Sequence, residues 1–217
     1  CLTRRLPLPE ACKPCDEKDT RGRCSMRLRQ SAYPMKAEAK LMSESTTASR
    51  LYVVMGVAGC GKTTIGEFLS EAIGGVFLDG DAFHPAANIE KMSRGEALTD
   101  KDRWPWLERF GREFARRAGP VVGGCSSLKR TYRDLITRSA KEPVVFIYLE
   151  GSRELIAERM DRRTGHFMPT SLLDSQFAAL QVPEEDENAI CVDIDAPVEI
   201  IIDRILDALN DRYSSPI

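Results

Sequence analysis

From Leu51 onward, short apolar runs alternate with longer amphipathic stretches along the chain. The apolar runs predict strands at Leu51–Met55, Val76–Leu78, Pro120–Val122, Val144–Leu149 and Ala189–Ile194. The stretches with apolar residues at helical spacing predict helices at Lys62–Ile73, Ala86–Met92, Trp104–Arg117, Leu128–Ser139, Arg153–Met160, Ser171–Leu180 and Val198–Asn210. This alternation predicts an α/β three-layer sandwich, in which helices cover both faces of a five-stranded parallel sheet.

In such a sheet, right-handed crossovers bring the carboxyl ends of the strands to one edge, where ligands bind. The residues that follow the strands should therefore carry the chemistry. The notable polar residues do cluster in these segments, at 56–63, 79–85, 125–129, 159–166 and 192–197.

Charge divides the chain into two parts. Residues 1–50 carry 11 Lys/Arg against 6 Asp/Glu, and residues 51–217 carry 20 against 27, so the total of −2 is +5 on the first part and −7 on the second. The acidic second part argues against non-specific binding of nucleic acid. No apolar stretch reaches the roughly 18 residues of a membrane-spanning helix, so we expect neither a nucleic-acid nor a membrane partner.

The first 49 residues predict a basic, poorly ordered leader, and residues 50–213 predict one domain with a short tail at 214–217. Four of the seven cysteines lie in the leader, where Cys12 and Cys15 form a C-x-x-C pair. A zinc site there would need a fourth ligand, and incidental thiols are the alternative. The other cysteines suggest no disulfide framework, which indicates a reducing, cytoplasmic location.

Residues Gly56–Thr63 match G-x-x-x-x-G-K-[ST], the phosphate-binding P-loop, between a predicted strand and a predicted helix. Small residues let backbone N–H groups point at phosphate oxygens, and the helix N-terminus adds partial positive charge. Lys62 should reach the β- and γ-phosphates of ATP, and the Thr63 hydroxyl should bind Mg²⁺. The alternative is a glycine-rich turn without a ligand. The predicted ATP contacts of this segment are Gly56, Val57, Ala58, Gly59, Cys60, Gly61, Lys62, Thr63 and Thr64.

Asp81 follows the second predicted strand on the same sheet edge as the P-loop. Its carboxylate could accept the proton of a substrate hydroxyl that attacks the γ-phosphate, and it could help to hold the metal. The alternative is a helix cap, which either Asp79 or Asp81 could provide for the helix that begins near Pro85. Asp79 could otherwise lie in the outer ligand shell of the metal.

Three further residues are candidates for substrate binding. The two histidines, His84 and His166, lie in loops on the presumed ligand edge and suggest recognition of polyol hydroxyls. Arg103 could bind an anionic substrate, or it could be an ordinary charge in the first turn of a helix that Asp102 caps. The neighbouring tryptophans suggest core and lid packing rather than stacking on a base.

The segment 159–166 combines arginines with a glycine. An arginine delivered by a closing lid would stabilise the charge that spreads over the γ-phosphate oxygens in phosphoryl transfer. The alternative is a solvated helix end, where positive charge is favoured by the helix dipole.

Taken together, the motifs resemble those of the small P-loop gluconate kinases, relatives of shikimate and adenylate kinases. Apart from the P-loop, the resemblance rests on combined motifs that are far more specific: Asp79-Gly80-Asp81, His84-Pro85, Asn88 to Met92, Gly95 to Leu107, Cys125 to Lys129, Tyr132-Arg133-Asp134, Gly165 to Met168, Gln176-Phe177 and Leu180-Gln181. It extends from about Leu51 to Leu209.

The resemblance implies that the γ-phosphate of ATP is transferred to the 6-hydroxyl of D-gluconate, with Mg²⁺ and a lid at about 160–172. It implies catalytic roles for Lys62, Asp81 and Arg163, and metal binding by Thr63 and Asp81. It implies substrate contacts from Asp81, His84, Arg103, Lys129, Arg133 and His166. It adds Arg159, Asp195 and Pro197 to the ATP site, since Asp195-Ala196-Pro197 resembles the segment beside the adenine ring. Dimerisation is common among the resembling kinases.

Departures from the family pattern are few. Cys60 replaces the usual serine, and Ser127 stands where alanine is usual. Gly123 and Gly124 are expected to loosen the end of the third strand, because bulkier residues are common there. The alternatives to gluconate kinase are a sibling kinase with another small acceptor, or a nucleotide-binding module without catalysis.

Overall fold

The computed structural model describes residues 49–94, 96–162 and 170–214, which belong to one compact unit. In these residues the strands are β1 Leu51–Met55, β2 Val76–Asp79, β3 Val121–Gly124, β4 Val144–Glu150 and β5 Ala189–Asp193. The helices are α1 Lys62–Ala72, α2 Ala86–Ser93, α3 Asp100–Ala115, α4 Arg130–Ala140, α5 Arg153–Asp161, α6 Thr170–Ala179 and α7 Val198–Ser214, together with a 3₁₀ helix at Gly80–Phe83. Residues 1–48 of the predicted leader, and Arg163 in the predicted lid, lie outside the described residues.

The strands form one parallel sheet in the order β2-β3-β1-β4-β5. β1 lies at its centre and is completely buried. Because every connection returns to the same end of the sheet, the residues after each strand meet at the carboxyl edge. The predicted α/β sandwich is confirmed.

The side chains of β1 alternate between two cores, as the pleat of a strand requires. Tyr52 and Val54 belong to a core on one face, which includes residues of α1 and α7. Leu51, Val53 and Met55 belong to a core on the other face, which includes residues of α3 and α4. The apolar run is therefore buried on both sides because it lies between two helical layers.

β3 differs from its predicted range. It continues through Gly123 and Gly124, which pair with β1 and β2. A Cβ at Gly123 would lie 2.6 Å from Cζ of Phe110. The glycines thus provide room for aromatic rings that pack against the strand, and the expectation that they loosen its end is wrong.

Three helices also begin elsewhere than predicted, and for α6 the difference is one residue, Thr170 instead of Ser171. α3 begins at Asp100, earlier than the predicted start at Trp104, and α4 begins at Arg130, two residues after the predicted Leu128. None of the helices in the described part of the chain is long and apolar enough to cross a bilayer.

Candidate active site

The P-loop leads from the buried strand β1 to the first turn of α1. Gly61 precedes this helix in a left-handed conformation with φ 101°, which glycine adopts without a steric penalty. No side chain caps this end of α1, and its first turn contains no acidic residue. Its N–H groups are therefore suited to an anion, because phosphates bind at uncapped helix N-termini.

Lys62 folds back over the loop. Its Nζ donates hydrogen bonds to the carbonyl oxygens of Val57, at 2.9 Å, and Gly56, at 3.2 Å. The next residue, Thr63, is exposed on the first turn of α1. An ammonium and a hydroxyl thus lie beside the uncapped helix end, as the motif predicts.

Asp81 lies in the 3₁₀ helix that follows β2, and its side chain is 82% exposed. Asp79 caps this short helix, since its Oδ1 accepts a hydrogen bond from the Asp81 N–H at 3.0 Å. The helix that begins at Ala86 has Pro85 at its N-cap and no side-chain cap. The capping alternative therefore applies to Asp79, at a different helix from the one predicted, and Asp81 is left free to act.

His84 is buried beside Asp81. Its imidazole stacks on the indole of Trp106, and its Nδ1 lies 3.3 Å from Nδ2 of Asn88. Because the amide nitrogen can only donate, Nδ1 accepts and the proton of the neutral ring is on Nε2, 3.8 Å from Oδ1 of Asp81. Burial lowers the pKa of His84, which favours this neutral form.

The start of α3 lies next to this histidine. Asn88 Nδ2 also donates to the carbonyl oxygen of Asp102, at 2.8 Å. Thr99, not Asp102, is the N-cap, and the two residues form a capping box in which the Asp102 carboxylate accepts from the Thr99 N–H. The prediction that Asp102 is the N-cap is therefore wrong. Asp102 is the N3 residue, whose side chain in a capping box bonds back to the N-cap, here Thr99.

Arg103 and Lys129 both lie near one tyrosine, with Cζ of Arg103 at 5.8 Å and Nζ of Lys129 at 5.5 Å from the ring centroid of Tyr132. Lys129 Nζ donates to both carboxylate oxygens of Asp100, and the Tyr132 hydroxyl donates to Oδ1 of the same group. The hydrogen bond from Lys129 lowers the pKa of Asp100, and the same contact raises the pKa of Lys129. Arg103 also donates to the carbonyl oxygen of Leu98 at 2.6 Å.

Arg133 is placed differently from the other predicted substrate contacts. It is 2% exposed and forms two hydrogen bonds with the carboxylate of Glu187, at 2.6 and 2.7 Å. Its remaining nitrogen donates to carbonyl oxygens of Ser127 and Gln181, among others. A guanidinium with all these partners joins α4 to the segment before β5, which supports a structural role for Arg133.

Arg159, at the end of α5, contacts the residue that follows β5. Arg159 donates to the carbonyl oxygen of Ile194 at 2.6 Å. The following residues, Asp195 and Pro197, are exposed at the same edge of the sheet. Arg163 and His166 lie outside the described residues.

Cys125 directly follows β3 and is buried. Burial raises the pKa of this thiol to about 11, and both the Asp81 carboxylate and the Lys62 ammonium act on it electrostatically.

No group of three or more His, Cys, Asp or Glu in the described ranges could hold a metal by itself. The oxygens of Thr63 and Asp81 nevertheless fit Mg²⁺, which commonly takes few protein ligands and completes its shell with phosphates and water.

Two residues of this site had no assigned role in the sequence analysis. Asn88 sets the tautomer of His84, and Gln176 on α6 accepts a hydrogen bond from the Ala58 N–H at 2.7 Å. Both belong to motifs that carry the family resemblance. The contact of Gln176 spans 118 residues, so no local spacing could have indicated it.

The comparisons with known proteins agree with this geometry. A family model described as "AAA domain" matches residues 51–183. The gluconokinase of Gluconobacter oxydans (strain 621H) is 44% identical over 160 residues, which cover 72% of this chain and 89% of that protein. The crystal structure of a gluconokinase from Sinorhizobium meliloti 1021 has a TM-score of 0.70 and 44% identity, with 78% of this chain and 99% of that chain covered.

A more distant structure shows the fold alone. Shikimate kinase from Aquifex aeolicus vf5 is 14% identical, with a TM-score of 0.52 over 76% of this chain and 99% of that chain. The sheet is therefore the one found in P-loop kinases in general. The identities of 44% are instead to gluconokinases. The chain belongs to the gluconokinase family of P-loop kinases.

Proposed function

We propose that this protein transfers the γ-phosphate of ATP to the 6-hydroxyl of D-gluconate and releases ADP and 6-phospho-D-gluconate. The observation that carries the proposal is the free carboxylate of Asp81 on the same edge as an uncapped P-loop helix. Membership of the gluconokinase family supports gluconate as the acceptor.

In the proposed reaction, Asp81 accepts the proton of the 6-hydroxyl as that oxygen forms a bond to the γ-phosphorus. The bond between this phosphorus and the bridging oxygen breaks, and the electron pair leaves with ADP. Lys62 and the N–H groups at the start of α1 stabilise the negative charge of the transferred group. Thr63 and Asp81 would hold Mg²⁺, which would neutralise phosphate charge when bound.

The acceptor is proposed to lie between the 3₁₀ helix and the start of α4. Arg103 and Lys129 bring two positive charges to this region, and a guanidinium can pair with a carboxylate in a fixed geometry. His84 offers a neutral Nε2–H beside Asp81. We also propose a role for Arg163 at the γ-phosphate and for His166 at the acceptor, on the family resemblance alone.

The nucleotide base is proposed to lie near Arg159, Asp195 and Pro197. The hydrogen bond from Arg159 to Ile194 supports this, because it joins the end of α5 to the segment after β5. We also propose a cytoplasmic location, which is supported by the absence of disulfides among Cys60, Cys125 and Cys191 in the described part of the chain.

A coupled assay of ADP release with MgATP and gluconate tests the proposal, with shikimate, nucleosides and other sugar acids as competing acceptors. We expect turnover with gluconate and a loss of about 10²- to 10⁴-fold in kcat for Asp81→Asn. Asp79→Asn is the matched control, since an amide oxygen can still accept the N–H of Asp81, and it should lose far less. A folded, ATP-binding protein without gluconate-dependent turnover would rule the proposal out. Turnover of Asp81→Asn within twofold of the parent would remove Asp81 from the role of base.

A further inference from the structure

One peptide group of the P-loop is held from both sides. The Ala58 N–H donates to Oε1 of Gln176 at 2.7 Å, and the carbonyl oxygen of Val57 accepts from Nζ of Lys62 at 2.9 Å. These two atoms belong to the same planar peptide unit, so the orientation of one fixes the orientation of the other. Gln176 and Lys62 are therefore coupled through the Val57–Ala58 peptide.

The helix that carries Gln176 is firmly attached to the body of the domain. Leu173 on α6 is 1% exposed and belongs to the core. Asp174 pairs with Arg153 of α5 at 2.6 Å. Just beyond the helix, the N–H of Gln181 donates to the carbonyl oxygen of Leu128 at 2.8 Å. Gln176 is thus presented to the P-loop by an anchored helix.

The next residue of the P-loop, Gly59, lies close to a different helix. A Cβ at Gly59 would lie 2.6 Å from Cγ of Met160, on α5. Consecutive residues of the loop therefore contact two different helices. Only the contact at Ala58 is polar, and only that contact reaches the peptide that receives Lys62.

We propose that Gln176 is a positioning residue for Lys62. Its carboxamide oxygen holds the Val57–Ala58 peptide in the orientation in which the carbonyl keeps the ammonium over the loop, ready for the phosphates. Without this acceptor, the peptide can rotate, and before ATP binds Lys62 keeps only its longer bond to the carbonyl oxygen of Gly56, at 3.2 Å. This inference deepens the proposed function and rests on ATP binding at the P-loop.

The hydrogen bond between Gln176 and Ala58 could instead oppose ATP binding. An oxygen of a bound phosphate could bond to the Ala58 N–H in place of Gln176, and Gln176 would then compete with the nucleotide. The two possibilities differ in sign, since removal of the acceptor weakens ATP binding in the first and strengthens it in the second.

The test is Gln176→Met, which keeps the length of the side chain and removes the acceptor. Gln181→Met is the matched control, because it removes a similar bond from a side chain to a backbone N–H outside the P-loop. We expect Gln176→Met to raise the KM for ATP by roughly three- to tenfold, the effect of one hydrogen bond, with the KM for gluconate within about twofold. The control should leave the KM for ATP unchanged. If methionine prevents folding, Gln176→Ala tests the same bond with a smaller residue of high helix propensity.

A double-mutant cycle with Lys62→Met distinguishes positioning of Lys62 from general support of the loop. ATP affinity is measured by calorimetry, and the effect of Gln176→Met should disappear in the Lys62→Met background. An equal effect in both backgrounds, no effect in either, or tighter ATP binding by Gln176→Met would each overturn the inference. A parent protein that binds no ATP would instead contradict the proposed function.

Discussion

The imidazole of His84 lies nearly parallel to the indole of Trp106, with 3.9 Å between ring centroids and 19° between planes. The indole is fixed in turn, since its Nε1–H donates to the carbonyl oxygen of Gly80 at 2.8 Å. Gly80 directly precedes Asp81, so one indole holds the backbone next to the proposed base and packs against the face of the proposed hydroxyl contact, His84. This pair sets the geometry of the acceptor side of the site.

Trp106→Phe should separate these two functions of the indole. Phenylalanine can still stack on His84, but the carbonyl oxygen of Gly80 loses its donor. We expect a decrease of about 1–2 kcal/mol in the free energy of unfolding and a lower kcat, because the 3₁₀ helix that carries Asp81 is less firmly held. Urea denaturation and steady-state kinetics measure both. Trp104→Phe is the control, since Trp104 contacts Tyr132 edge-on, and it should preserve kcat better. Equal kinetic losses in the two variants would contradict the role given to Nε1.

The ion pair between Arg133 and Glu187 should be structural. Arg133→Met leaves a carboxylate that is 7% exposed without its partner, which should cost about 3–5 kcal/mol of unfolding free energy. Arg133→Met combined with Glu187→Leu removes both charges and should recover most of this loss. The measurement is thermal unfolding, followed by the KM for gluconate of the double variant. A stable double variant that no longer binds gluconate would restore Arg133 to the acceptor site.

The contribution of Asp102 to the free energy of unfolding should depend on pH. Hydrogen bonds from Lys91 and Thr99 lower its pKa far below the ordinary value of 3.8. A carboxylate whose pKa is lowered in the folded state contributes stability above its unfolded pKa, and that contribution is lost as pH falls toward the folded pKa. The difference in unfolding free energy between the parent and Asp102→Asn should therefore be largest near neutral pH. It should shrink as the pH falls below about 4. A difference of the same size at pH 3 and pH 7 would mean that the charge of Asp102 does not stabilise the helix.

Gly123→Ala tests the packing of β3. The new methyl group would contact the ring of Phe110, which is itself completely buried. We expect a loss of about 1–3 kcal/mol, typical of overpacking in a filled core. Gly123→Ala with Phe110→Leu should be more stable than the sum of the two single changes predicts. Strict additivity in a chemical denaturation series would show that the two side chains do not compete for this space.

Much of the fold could be predicted from the sequence. The strands are short apolar runs between amphipathic helices, and such runs are buried on both faces in a parallel sheet. The end of β3 could not be predicted in this way, because glycine has little strand propensity and its place there depends on aromatic rings from α3. The start of α3 was also placed late, since the capping box at Thr99 and Asp102 lies ahead of the first apolar positions of that helix.

The sequence predicts where the site residues lie along the sheet edge better than it predicts their partners. Residues that follow strands, such as Lys62 and Asp81, are at the carboxyl edge because the topology requires it. The pairing of Arg133 with Glu187 could not be predicted, because a motif gives residue types but not partners and Glu187 lies 54 residues further along the chain. Asn88 contacts Asp102 and Gln176 contacts Ala58, and each bond joins separate elements, 14 and 118 residues apart along the chain. Tertiary pairing of this kind leaves no periodic signal in a single sequence.

The pairing of Arg133 with Glu187 has a consequence for motion on the slow timescale. Residues 181–188 contain no helix or strand, and a segment of that kind usually exchanges its amide hydrogens quickly. Here the segment is joined to α4 by the two hydrogen bonds between Glu187 and Arg133. Opening the segment requires these two charged side chains to separate while they are buried from water. Its amides at Glu184 and Gln181, which donate to Glu187 and Leu128, should exchange nearly as slowly as those of the sheet.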